Sequence, residues 1–479
     1  MSNQPAQEPN GGLARSLSHG QMTMIALGLA VGTGLFLGSG GAIAIAGPAV
    51  IISYAIGSLI AAIIGACAGE MAVRYPVRGG FGTIAGKFLG PYAGYMTRWA
   101  YWATTVPLAG AELVAVGQYM SYWWPQIPLW IWVSIFAALI VGLNLASVNS
   151  FGTLEFFLSS IKVIAVIVFI LFGLILVSFG LLNVPGSGLS NLTNDGGFIP
   201  HGPASIWLAL AVVMFSFGGI ELISVSAAEA KDPVRSVRSA AKAMMWRLAF
   251  FYVLSLFVVV ALIPWKDASG LQDEIETSPF VLVFSQMNIP FIAGITNFVV
   301  LIAALSGANA ALYAATRQLH ALGHEGMAPR AFARTNSRGV PARALALSTV
   351  GSIVAVVMAV SGVGGIFTYM MALVTVCVLV VWSMILLSYI SFKRQEGNAS
   401  PFRVFGGSTT AAVGLLGVIS TFVAMFFVGD MHISVLVGLS FFAFITIVYF
   451  AGVRNQLEHS EDAFLEAKTL TGQHPTIRG

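Results

Sequence analysis

Charge is what this chain has least of. Only 9% of its 479 residues are Asp, Glu, Lys or Arg, against about a quarter in an ordinary water-soluble domain. Cysteine is nearly absent too: Cys67 and Cys377 both fall in apolar stretches, so neither a disulfide nor a redox pair is expected. The seven histidines are scattered without metal-ligand spacing. No nucleophile, base and orienting acid assemble along the chain, so no catalytic residue, metal, cofactor or enzymatic activity is expected. The run Gly82-Thr83-Ile84-Ala85-Gly86-Lys87-Phe88 looks like a phosphate loop but is one residue short, with Phe88 where Ser or Thr is required; it reads as an interfacial helix. No polar stretch is long enough to fold alone, and the net charge of +4 is spread over short links, which argues against nucleic acid.

What is abundant is hydrophobic sequence, 57% of the chain. Apolar runs of about twenty residues suit a bilayer. Twelve are read, at about 22–42, 48–70, 93–124, 129–147, 153–180, 205–228, 244–263, 290–315, 342–361, 365–390, 408–428 and 432–453. Lysines and arginines test that count, because short positive loops stay cytoplasmic. With twelve spans, Arg15, the group from Arg74 to Arg98, Lys231 to Arg247, Arg317 to Arg343, Lys393 to Arg403, and Arg454 to Arg478 share one side. Lys266 lies opposite and Lys162 lies within a span. Both termini are therefore expected in the cytoplasm. Residues 1–20 read as an N-terminal tail without the pattern of a cleaved signal, about 21–454 as one membrane domain, and 455–479 as a C-terminal tail.

Two spans are broken by glycine. In hydrocarbon each unsatisfied backbone group costs several kcal/mol, so a break is kept where it lines something useful. Gly32-Thr33-Gly34 in span 1 offers successive N–H groups to a carboxylate, and carbonyls freed before the break can accept from an ammonium group. Ser216-Phe217-Gly218-Gly219-Ile220 in span 6 is a second unwound stretch, with Phe215 and Phe217 either lids over an apolar side chain or ordinary core. Paired breaks in two halves of a chain point to a midplane binding site.

Buried charge is the other signal, since a charged residue at mid-bilayer costs about 2.5–3.5 kcal/mol on insertion scales. Lys162 lies two helical turns past Glu155 on one face and is expected to point inward to a partner. Glu112 and Glu221 are proton carriers, gate partners or acceptors for freed backbone N–H groups; the three roles stay open. Glu70 and Glu229, at inner span ends, are expected to pair with loop arginines. Ser306, Asn309 and Tyr313 share a face of span 8 and either line the cavity or bond between helices.

Several ordered motifs resemble one family. The run from Ala26 through Leu29-Ala30-Val31-Gly32-Thr33-Gly34-Leu35-Phe36, then Ala46-Gly47-Pro48, Gly69-Glu70-Met71, Phe217-Gly218-Gly219-Ile220-Glu221, Ala228 to Pro233, Leu305-Ser306-Gly307-Ala308-Asn309 and Gly339-Val340-Pro341 are similar to bacterial amino-acid permeases of the amino acid-polyamine-organocation superfamily, amino acid transporter branch. Leu29-Ala30 leans toward proline and histidine permeases, and the surroundings of Glu112 toward aromatic or general neutral ones. The resemblance implies an all-α integral membrane fold of two inverted five-helix repeats, about 21–180 and 205–390, plus two helices at about 408–453. It implies a substrate carboxylate on Gly32, Thr33 and Gly34, an ammonium near the carbonyls of Ala30 and Phe215, and Phe215 as gate. Lys162 then stands, beside Ser306, where related sodium-driven carriers bind a cation, which favours protons as coupling ion. The implied activity is proton-coupled import of neutral amino acids at the cytoplasmic membrane. The alternatives are an exchanger, a γ-aminobutyrate or polyamine carrier, and a non-transporting nutrient sensor. Oligomeric state is not legible.

Overall fold

Every regular element among the described residues is helical, as backbone groups facing hydrocarbon require. The computed structural model describes residues 32–75, 77, 80–146, 151–179, 188–221, 248–269, 277–287, 289–337, 339–397 and 400–456. Outside them lie Ala30, the basic segment from Lys231 to Arg247 with Glu229 just before it, the N-terminal tail, and the C-terminal tail from residue 457.

Span 1 is described as α1 (Thr33–Phe36) and α2 (Gly38–Ala46), parted at Leu37. A turn through Pro48 leads into α3 (Val50–Arg74). Then come α4 (Gly80–Leu89), α5 (Pro91–Ser121), α6 (Leu129–Ala146) and α7 (Phe151–Phe179). Span 6 holds α8 (Ala204–Leu208), α9 (Leu210–Val213) and a 3₁₀ turn at Met214–Phe217. A π-helical turn, Leu248–Leu254, precedes α10 (Ser255–Leu262), followed by α11 (Trp265–Ala268), α12 (Pro279–Gln286) and α13 (Pro290–His324). The chain continues through α14 (Ala342–Ser348), α15 (Val350–Val360), α16 (Ile366–Glu396), α17 (Ser408–Ala424) and α18 (Met431–Val448).

Among the described residues, six helical runs are long and apolar enough to cross a bilayer: Thr33–Arg74, Phe157–Ser178, Pro290–His324, Ala342–Val360, Ile366–Glu396 and Met431–Gln456. Shorter apolar helices lie at Leu129–Leu145, Ala204–Phe217, Phe250–Leu262 and Ser408–Ala424. Their outward faces carry Leu59, Phe157, Phe291, Leu416 and Ile447, each more than 60% exposed, a surface that water would penalise and lipid solvates. The chain is a multi-pass membrane protein.

Helix α5 is the central post, packed along α13 and α16. Small residues allow close approach: Gly110 of α5 meets Gly351 of α15, and Gly414 and Gly417 of α17 seat on Ile63 and Ile60 of α3. Cys67 and Cys377 are both buried and free. The expected pairing of Glu70 with loop arginines is corrected. Fully buried, Glu70 accepts from Tyr389 Oη (2.6 Å), from Lys393 Nζ and from the Val404 N–H (2.7 Å). Tyr389 and Lys393 are one turn apart on α16, so one helix face presents both donors; Arg74 instead pairs with Glu396 at 3.2 Å.

Candidate functional site

The two glycine-marked segments meet. Gly32 precedes α1 in extended conformation, and its carbonyl accepts from Leu35 and Phe36, which leaves the N–H groups of Thr33 and Gly34 without an acceptor in the helix. A Cβ built on Gly34 would lie 2.7 Å from Ser216 Cα and 3.0 Å from Phe215 Cδ1, so only glycine permits this approach of spans 1 and 6. One turn on, a Cβ at Gly38 would stand 3.4 Å from Met371 Sδ and 3.8 Å from Phe215 Cδ1, ordinary contact distances. Phe215 thus faces span 1, with its ring edge-on to Phe367 of α16 at 6.0 Å.

Phe217 does not join it. That ring is fully buried against Gly57, 4.9 Å from the ring of Tyr252 and 6.1 Å from that of Tyr54, which makes it core rather than a lid. The same two tyrosines fix the unwound backbone: Tyr252 Oη donates to the Ser216 carbonyl at 2.8 Å, and Tyr54 Oη pairs with Ser216 Oγ at 3.1 Å. Neither tyrosine stood out in the sequence, because partners more than thirty residues away leave no local pattern. Beyond the 3₁₀ turn, Gly218 donates back to the Phe215 carbonyl at 3.2 Å. Gly219 turns with φ +94°, where glycine is favoured. Its N–H donates to Glu221 Oε1 at 3.2 Å, while Trp382 Nε1 of α16 donates to Glu221 Oε2 at 3.0 Å. Of the three roles open to Glu221, the geometry matches the acceptor for backbone freed by the break. Ile220 beside it is buried.

Glu112 and Lys162 converge on the other side of α1. Lys162 is buried, and its Nζ donates to Ser306 Oγ of α13 at 2.8 Å. Glu112, also buried, lies against the backbone N–H and hydroxyl of Thr33, within the field of Lys162. Neither Thr33 Oγ1 nor Glu112 Oε2 completes a hydrogen bond of good geometry. A Cβ on Gly32 would be 3.4 Å from Glu112 Oε1, and one on Gly307 would be 2.7 to 2.9 Å from the carboxylate atoms. Gly307 is the site residue that sequence reasoning passed over as part of a motif. A glycine inside a long apolar helix, next to a polar Ser306, was the available signal. Asn309 belongs elsewhere: its Oδ1 accepts from Asn144 Nδ2 of α6 at 2.9 Å, a bond between helices. Among the described residues no group of three or more metal-ligating side chains occurs.

The arrangement can hold a small zwitterion: N–H groups without an acceptor in the helix and a cation on one side, carbonyls on the other, an aromatic ring between. The family model described as "Amino acid permease" matches residues 21–462. An uncharacterized amino acid permease, YtnA, of Bacillus subtilis (strain 168) is 36% identical over 443 residues, covering 91% of this chain and 95% of the relative. The aromatic amino acid transport protein AroP of Escherichia coli (strain K12) is 39% identical over 389 residues, 80% of this chain and 83% of the relative. AroP of Salmonella typhi is 39% identical over 400 residues, 83% and 86%.

Proposed function

The chain belongs to the amino acid permease family, and from that premise we propose that it imports neutral L-α-amino acids across the bacterial cytoplasmic membrane by proton symport. It is a transporter and not an enzyme. The substrates are of the proline, histidine, aromatic or aliphatic type, and relatives that carry aromatic amino acids favour the aromatic ones. The single domain crosses the membrane twelve times, as two inverted five-helix repeats with two further helices, and both tails are cytoplasmic.

The observation that carries this reading is the contact of Gly34 with Ser216, which sets two interrupted helices face to face inside a lipid-facing bundle. In the proposal the substrate carboxylate takes the N–H groups of Gly32, Thr33 and Gly34, and the ammonium takes the carbonyls of Ala30 and Phe215. The Phe215 ring gates the apolar side chain. Lys162, a fixed cation bonded to span 8 through Ser306, occupies the place a sodium ion would need, which leaves protons to couple transport.

Uptake by purified protein in proteoliposomes, with a panel of amino acids under separately imposed gradients, tests it. An inward proton gradient is expected to drive accumulation of neutral, above all aromatic, amino acids. Accumulation driven by sodium alone overturns the coupling, and uptake seen only against a loaded counter-substrate makes the protein an exchanger.

A further inference from the structure

We propose that Glu112 is a built-in competitor for the seat of the substrate's carboxylate, and that an amino acid binds when Glu112 takes up a proton and yields that seat. The inference rests on the role proposed above for Gly32, Thr33 and Gly34. Three observations carry it. First, the Glu112 carboxylate lies against the N–H and hydroxyl of Thr33 and within contact of Gly32, which is where an incoming carboxylate would be held. Two ionised carboxylates on one set of donors disfavour each other. Second, the wall behind it is closed. A Cβ at Gly307 would come within 2.9 Å of Cδ, Oε1 and Oε2, so the group is already backed against α13. Third, Thr33 Oγ1 and Glu112 Oε2 are both buried and complete no hydrogen bond of good geometry, so the hydroxyl does not lock the carboxylate in place.

The charged neighbour that faces Glu112 is Lys162, from α7. Span 1 presents Gly32 and Thr33, and α13 presents Ser306 and Gly307; none of these titrates, and among the described residues no other charge is felt there. Ser306 and Gly307 are adjacent, so α13 holds the cation with one residue and backs the carboxylate with the next. No bond is made or broken. A proton enters from the side the substrate enters, neutralises Glu112, and leaves when the emptied seat is reoccupied.

Equilibrium binding of L-phenylalanine, and of 2-phenylethylamine as its carboxylate-free counterpart, to protein in lipid nanodiscs at a series of pH values tests this. For the wild type, L-phenylalanine affinity is expected to fall about tenfold per pH unit on the alkaline limb, and a pH-indicator dye in weak buffer should report about one proton taken up per molecule bound. The Glu112→Gln variant should bind without that slope and, at alkaline pH, at least about tenfold more tightly than wild type. The amine should show no such slope in either protein. A monodisperse Glu112→Gln protein that loses L-phenylalanine overturns the proposal, because Glu112 then holds the ammonium. Wild-type binding without proton uptake overturns it independently of any variant. A wild type that binds no amino acid of the panel at any pH overturns the transport reading as well.

Discussion

Lys162 carries the coupling argument at the scale of single residues. It is 2% exposed, roughly two turns of apolar helix from the inner end of span 5, and its ammonium is bonded to Ser306. Holding a cation there costs burial free energy, and intramembrane charges kept at that cost mark ion and proton pathways. Lys162→Ala is expected to lower proton-driven accumulation by at least about tenfold while L-phenylalanine binding at acid pH, where Glu112 is already neutral, changes by less than about threefold. Equal loss of both in the two assays makes Lys162 part of the pocket instead. The scarcity of charge made Lys162 and Glu112 conspicuous in the sequence, since a buried charge in an apolar run has few neighbours to be confused with. Their partners were not conspicuous. Ser306 and Gly307 lie over 140 residues from Lys162, and the fact that a glycine makes room for a carboxylate is visible only once two helices have been brought together.

At the scale of elements, the two breaks are held in different ways. Span 6 is kept open by side chains: from outside it, Tyr252 on the Ser216 carbonyl and Tyr54 on the Ser216 hydroxyl; from within it, Glu221 on the Gly219 N–H, itself steadied by Trp382. Span 1 is kept close to it by the lack of side chains. Gly34 and Gly38 lie one turn apart on the same face, yet the atoms opposite them differ. The Cβ of an alanine at position 34 would press on Ser216 Cα, which is backbone, whereas at position 38 it would touch Met371 Sδ, the end of a flexible side chain. Gly34→Ala should therefore cost about 1–3 kcal/mol of overpacking and abolish uptake. Gly38→Ala should fold normally and retain most of it. Thermal unfolding in detergent together with the uptake assay separates the two, and equal tolerance would remove the contact of spans 1 and 6 from the site. Both breaks were legible from glycine runs inside apolar stretches, because hydrocarbon tolerates few unpaired backbone groups. Which aromatic ring faces the break was not. Phe215 and Phe217 are two positions apart in a 3₁₀ turn and point to different neighbours, an outcome set by local winding that helical periodicity does not predict.

At the scale of the whole molecule, the length of one helix bears on which loops face which compartment. Helix α13 has 35 residues, about 52 Å at the usual rise. That exceeds the hydrocarbon thickness of about 30 Å. Helix α12, just before it, has 8 residues and is too short to cross. Lys266, paired with Asp195 at 3.3 Å, precedes both, and the exposed Arg334 follows α13, so a single crossing separates them. In the proposed twelve-span arrangement Arg334 lies in the cytoplasm and Lys266 outside. Because both native thiols are buried, new surface cysteines would be read against a low background. A membrane-impermeant maleimide should label Lys266→Cys in intact cells, and Arg334→Cys only after the membrane is permeabilised. Lys266 needs no strong anchor for this, since its ion pair is half exposed and worth little. Labelling of both positions from the same side would show that α13 does not cross. The twelve-span arrangement would fall with it, and so would the placing of Lys162 and Glu112 at the bilayer midplane, because the two are held against α13 at Ser306 and Gly307.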